Sequence, residues 1–333
     1  MPVPADPIRK VDRRGDGPVK RCNDATAKYR VAPMRILCVG EALVDLVCEH
    51  PVGSISEADA FVPHFGGAIA NVAVTAARRG ADVALAGGVG DDAWGHWLRE
   101  RLAAEGVGLD CFALAPGIAT PIAFVTLDDA AQPTFAIYGE GLRAAVAGLG
   151  EGRLLEAVDA AGALFFSSNT LVAEDERALT LAARDRARAA GKPIVLDPNL
   201  RLERWRSTSA AVEVVGACVD GAFLVKCNGY EALALTGELE VEAAAASLLA
   251  AGAQHVVVTL GPDGALLRGG GLDRTVRGVS AQPIDTTGAG DAVTGVLLAG
   301  LARTGFYPAA LAAMLPDAVA EGARATERYG ALA

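Results

Sequence analysis

The segment Asp-Thr-Thr-Gly-Ala-Gly-Asp, residues 285–291, sets two glycines and an alanine directly before a helical pattern carried by Val293, Val296, Leu297 and Leu301. A helix start leaves backbone N–H groups without partners and so attracts an anion. An acid in a first turn is stabilising by roughly 0.3–1 kcal/mol. That accounts for Asp291 but not for the bare Gly-Ala-Gly ahead of it. Phosphoryl transfer accounts for both. Backbone N–H groups of Gly288, Ala289 and Gly290 would cradle developing phosphate charge, and Asp291 would accept the proton of an attacking hydroxyl.

Such a loop needs a rigid frame. From residue 34 onward, apolar runs at 35–41, 82–89, 163–168, 193–197, 222–226 and 255–260 alternate with alanine-rich helical stretches at 71–80, 94–106 and 176–191, each closing at a glycine. Continuous rather than alternating runs predict strands buried on both faces of a mostly parallel sheet, and the alternation predicts an α/β fold of βαβ units. Segments 44–64 and 119–140 are strand-like without crossover helices. The second reads as a hairpin turning at 128–133, and together they predict a small β-sheet lid. Residues 1–33, rich in proline and charge and without periodicity, read as a disordered extension, leaving 34–333 as the folded unit.

The totals exclude several classes. Of 333 residues, 52% are hydrophobic, enough for a large core, and the net charge of −10 argues against a general nucleic-acid binder. No apolar run approaches the roughly 18 residues of a membrane span, and residues 1–33 lack the apolar stretch of a secretory signal. Six scattered cysteines without a C-x-x-C pair read as reduced thiols of a cytoplasmic protein. The four histidines (His50, His64, His96, His255) have no metal-ligand spacing and read as structural or surface residues. The stretch Gly88–Ala93 fits the dinucleotide fingerprint G-x-G-x-x-A, but its Asp91-Asp92 pair would face a pyrophosphate unfavourably.

Six motifs in order carry a resemblance over residues 34–330. They are FGGAIANVAV (65–74), GGVGDDAWG (87–95), VLDPNLR (195–201), NGYE (228–231), VVVTLGPDG (256–264) and DTTGAGDAVTGVLLAGL (285–301). Together they resemble the ribokinase-like (PfkB) family of carbohydrate kinases. The resemblance implies a three-layer α/β/α sandwich with a β-sheet lid, and transfer of the γ-phosphate of ATP to a hydroxyl of a small carbohydrate. It implies sugar contacts from Asp45, Gly66, Gly67, Asn71 and Arg201. It implies nucleotide contacts from Asn228, Glu231, Thr259, Gly261 and Gly264. Glu231 would position Mg²⁺ largely through water, and Asp285 and Thr287 would hold a monovalent cation such as K⁺. Pairing of lids implies a homodimer. Read from the residues alone, NGYE is also a capping box, and TLGPDG a hairpin turn. No Walker A pattern occurs, so this would be a kinase without a P-loop.

For the acceptor, DPNLRLERW (197–205) is similar to bacterial fructokinases and 2-keto-3-deoxygluconate kinases. A sugar acid needs a cationic anchor, and the arginine that acid-specific members and many fructokinases carry after the lid tyrosine is replaced by Gly139-Glu140. The expectation is therefore a neutral ketose, fructose first, with inositol, a nucleoside or 2-keto-3-deoxygluconate as alternatives. A sugar-sensing protein of the same fold is the non-enzymatic alternative.

Overall fold

The computed structural model describes residues 34–138 and 149–332. The expected N-terminal extension and the Gly139-Glu140 pair lie outside them. Strands β1 (Ile36–Val39), β4 (Val83–Gly90), β5 (Phe112–Ala115), β8 (Ala163–Ser167), β9 (Ile194–Asp197), β10 (Leu224–Asn228) and β11 (His255–Thr259) form a parallel array. An antiparallel hairpin, β12 (Gly264–Gly269) and β13 (Leu272–Arg277), extends one edge. The order across the sheet is β13-β12-β11-β10-β9-β8-β1-β4-β5.

Each expected strand and helix is found, shifted by at most a few residues. Helices α1 (Ala68–Arg78), α2 (Ala93–Ala104) and α4 (Glu174–Ala189) are each followed by a glycine at positive φ, Gly80, Gly106 and Gly191. The other helices described are α3 (Glu151–Ala160), α5 (Thr208–Gly216), α6 (Gly229–Thr236), α7 (Val241–Ala250), α8 (Ala289–Arg303) and α9 (Ala309–Ala325). The strands read as continuous apolar runs because both their faces are covered. Ile36 and Cys38 pack into one core with α1, α8 and α9, while Leu37 and Val39 pack into the other with α3, α4 and α7. The result is three layers, α/β/α.

The lid is a second sheet in the order β3-β2-β6-β7, built from β2 (Leu43–Pro51), β3 (Val62–Gly66), β6 (Ile122–Leu127) and β7 (Pro133–Tyr138). The β6–β7 hairpin turns where the sequence expects, and β2 pairs with β6 in parallel, a contact of high sequence separation that local pattern does not reveal. Chain order reverses at β1, whose neighbours are β4 and β8. Open α/β sheets bind ligands outside the carboxyl ends of strands at such a point.

Candidate active site

Above these strand ends lies a cavity of about 900 Å³, closed on one side by Phe135 and Ile137 of the lid. It gathers Asp45, Gly67, Asn71, Arg201, Asn228, Glu231, Thr259, Gly261, Gly264 and residues 287–291 from positions up to 246 residues apart in sequence. Gly66 and Asp285 stand behind the lining. A Cβ on Gly66 would lie 2.6 Å from the Asp45 carboxyl, so the glycine makes room for that acid. Gly67 adopts φ +92° and brings the start of α1 against the Glu41 carbonyl.

Asp291 sits in the first turn of α8, 7% exposed. Its Oδ2 accepts from Asn71 Nδ2 at 2.9 Å and its Oδ1 from Asn199 Nδ2 at 3.4 Å. Burial pushes its carboxyl up to about 6; Asp197 adds to the rise, while Asn71, Lys226 and Arg201 oppose it. Asp45 is buried in β2 rather than lying at the surface, and burial, then Asp285 and Asp291, hold its carboxyl well above the usual range.

Lys226 was not singled out in the sequence. It is the third of the five residues of β10, 3% exposed, and its Nζ donates to Asp197 Oδ2 at 3.0 Å. The same oxygen accepts from Thr294 Oγ1 at 2.8 Å, which ties the pair to α8. Burial pulls the ammonium's pKa down, but Asp197, Glu231 and Asp291 outweigh it and keep it charged. A Cβ on Gly290 would lie 3.0 Å from Nζ, so the cation stands directly behind the Gly-Ala-Gly loop. A lone lysine among the apolar residues of a buried strand was the available signal. Asn199, at φ +41°, was visible only as part of the DPNLR motif.

At the other end of the cavity, Asn228 and Glu231 form the capping box of α6. Glu231 Oε2 accepts from Asn228 N and Oε1 from Leu200 N, both at 2.8 Å. With both oxygens on backbone amides, Glu231 is suited to reach a cation through water. The unpartnered buried Asp197 Oδ1 adds a second hard oxygen, a donor set that fits Mg²⁺. Asp285, wholly buried, accepts from Thr287 N at 2.8 Å and Gly330 N at 2.7 Å, while Thr287 Oγ1 is buried and unpartnered. This pair fits a monovalent cation. Thr259 and Gly264 do stand at the β11–β12 turn, as the hairpin reading expects, and line the cavity as well.

Three further features decide between readings. Asp92 caps α2, accepting from Gly95 N and from Thr120 N and Oγ1, so the helix end that a dinucleotide would need is already filled by a carboxylate. The lid turn touches the glycine loop: Thr286 N donates to Ala131 O at 3.0 Å. His64 and His96 bond Glu49 and Asp91, and His255 is buried against the Phe223 carbonyl. His50 lies beside Asp59, and with Cys48 these side chains form the one group among the described residues whose donors fall within a metal-sized span, 4.8 Å. The sequence spacing had not indicated it.

The chain matches the pfkB family carbohydrate kinase domain over residues 34–333. It belongs to that family. Fructokinase-2 of Solanum habrochaites is 34% identical over 264 residues, 79% of this chain and 80% of that protein. Among solved structures, a fructokinase double mutant from Vibrio cholerae with fructose, ADP and potassium ion bound superposes with a TM-score of 0.78 at 30% identity, covering 91% of this chain and 96% of that one. Aminoimidazole riboside kinase from Salmonella enterica, complexed with aminoimidazole riboside and an ATP analogue, gives 0.76 at 28% identity, covering 90% and 95%. The fold is ribokinase-like and the chain is a sugar kinase. No described helix of this kinase is long and apolar enough to cross a membrane.

Proposed function

We propose that this kinase transfers the γ-phosphate of ATP to a hydroxyl of a neutral ketose, fructose first, with Asp291 as general base. The observation that carries the reading is the placement of Asp291. It is a buried carboxylate held by two side-chain amides in the first turn of a helix, beside a glycine loop backed by a buried lysine. A base with a carboxyl near 6 is mostly ionised at neutral pH yet basic enough to accept a proton in the transition state.

The acceptor enters between the lid and the ends of β1 and β8, where Asp45 and Asn71 bond its hydroxyls. ATP lies along β10 and β11, with its phosphates directed at residues 288–290. Asp291 takes the hydroxyl proton as the oxygen attacks the γ-phosphorus in line. Loop N–H groups and Lys226 neutralise the charge that develops on the transferred group. Magnesium, when bound, screens the phosphate oxygens; Glu231 and Asp197 would hold it, largely through water, and Asp285 with Thr287 would hold K⁺ behind the loop. The lid excludes water, the competing acceptor. Lid-to-lid pairing into a homodimer and a cytoplasmic setting complete the reading.

Fructokinase relatives favour fructose, and the riboside kinase likeness keeps a nucleoside as the second acceptor to test. The deciding experiment is ATP-dependent ADP release with fructose, 2-keto-3-deoxygluconate, inositol and nucleosides, alongside Asp291→Asn. Turnover on fructose that disappears in the variant is expected. Full turnover by the variant removes Asp291 from the base role, and turnover on another acceptor replaces fructose.

A further inference from the structure

The wall of the cavity beyond β8 and β1 holds polar groups that the proton transfer does not use. Glu41, in the turn between β1 and β2, is 1% exposed. Its Oε1 accepts from Ala68 N at 3.1 Å and from Asn169 Nδ2 at 2.8 Å. Asn169 Oδ1 in turn accepts from Arg204 Nη1 at 3.1 Å. All three residues line the cavity. A guanidinium carries five N–H donors, and among the described residues the Arg204 side chain has this single hydrogen bond.

The relay lies on the acceptor side. Ala68 and Asn71 are three residues apart on α1, about 4.5 Å along the axis. One binds Glu41 and the other binds Asp291. The relay is therefore about one helical turn from the reacting centre. Glu41, Asn169 and Arg204 come from the segments that follow β1, β8 and β9, and the first two stand three and two strand spacings from β10, which carries Asn228, about 14 and 10 Å. A sugar that presents one hydroxyl to Asp291 extends its other end toward Asn169 and Arg204.

We propose that Arg204, oriented by the Glu41–Asn169 pair, selects the acceptor by donating to hydroxyl oxygens at the end of a neutral polyol remote from the transferred phosphate. This rests on the reading that Asp291 marks the reacting hydroxyl. A neutral end is favoured over a carboxylate because Arg204 already faces the buried acid Glu41 through Asn169, and because two further acids, Asp45 and Asp291, line the same pocket. Glu41 and Asn169 are positioning residues and touch the acceptor only through Arg204.

The test is steady-state kinetics of Arg204→Leu, Arg204→Lys and Asn169→Ala with fructose, 2-keto-3-deoxygluconate and a ribonucleoside, each variant first checked for an unchanged melting temperature. Calorimetric titration of the same three compounds accompanies it. Arg204→Leu should raise the KM and Kd of the neutral acceptor about ten- to a hundredfold, the worth of a hydrogen bond to a charged donor. The KM for ATP should stay within about twofold. Asn169→Ala should move the acceptor KM in the same direction by less, and Arg204→Lys should recover part of the loss. An unchanged acceptor KM and Kd in Arg204→Leu, or a loss confined to ATP, overturns the role of Arg204. A wild-type preference for the sugar acid overturns the neutral class. Binding of a neutral acceptor that weakens in Arg204→Leu, without turnover in either protein, supports Arg204 while overturning the kinase reading. Failure of all three compounds to bind the wild type overturns both.

Discussion

Glu231 and Asp291 are buried to nearly the same depth, 4% and 7% exposed, at the starts of two helices that open onto one cavity. Their bonding is opposite. Glu231 gives both oxygens to backbone amides and closes a capping box. Asp291 takes only side-chain amides, one of them at 3.4 Å, and bonds none of the backbone N–H groups of its own loop. A carboxylate on backbone amides holds a segment in place. One on side chains that can readjust is free to exchange a proton. The difference separates the architecture of the nucleotide end from the chemistry of the acceptor end.

Substitution should therefore affect different quantities at the two positions. The largest effect expected is the loss of kcat in Asp291→Asn, on the order of 10²–10⁴ with acceptor and ATP binding retained. Steady-state assay with both substrates varied reads it directly. A proportional rise in either KM instead would make Asp291 a binding residue. Glu231→Ala should act on the fold, because Leu200 N and Asn228 N lose their acceptor and α6 keeps only the Asn228 half of its capping box. The destabilisation should be about 2–5 kcal/mol, read from the urea midpoint. A Glu231→Ala protein as stable as the wild type would remove the contrast.

Stability should also move the opposite way at Asp291. Its folded carboxyl is near 6 and an unfolded one near 3.9. Between these values the native state binds the proton more tightly, so wild-type stability declines as pH rises from about 4 to about 6. The loss above that range is at most about 3 kcal/mol. Asp291→Asn removes this penalty. Urea melts at pH 8 should show the variant more stable than the wild type, and melts at pH 4 should not. An equal difference at both pH values would mean the burial of Asp291 costs nothing.

The sequence made the scaffold legible where one signal repeated along the chain. Seven of the nine sheet strands are parallel and doubly covered, so their runs are apolar throughout, and turns or glycines separate them. The loop at 285–291 was legible because glycines and an acid have little other reason to precede a helix. The partners of that loop were harder to see. Asn199 meets Asp291 across 92 residues, Asn71 across 220, and Lys226 meets Thr294 only through Asp197. Arg204 carried no signal of its own within DPNLRLERW. Spacing encodes neighbours on one element, whereas these contacts depend on which strands are adjacent. The β2–β6 pairing escaped for the same reason.

The smallest effect is the most discriminating. The base must be ionised, so kcat/KM should fall about tenfold per pH unit below about 6 and level off above it. Asn71 donates to the ionised form of Asp291 and thereby lowers its pKa. Asn71→Ala should move the acid limb upward, while Asn71→Asp, which adds a like charge, should move it further. Glu231→Gln should leave the limb where it is, since both Glu231 oxygens bond backbone amides and neither touches Asp291. If Asn71→Ala lowers kcat/KM uniformly and leaves the limb in place, Asn71 contacts the acceptor without tuning the base, and the limb belongs to another group. Asp45, also raised by burial and lying in the same cavity, would then be the carboxylate to titrate next.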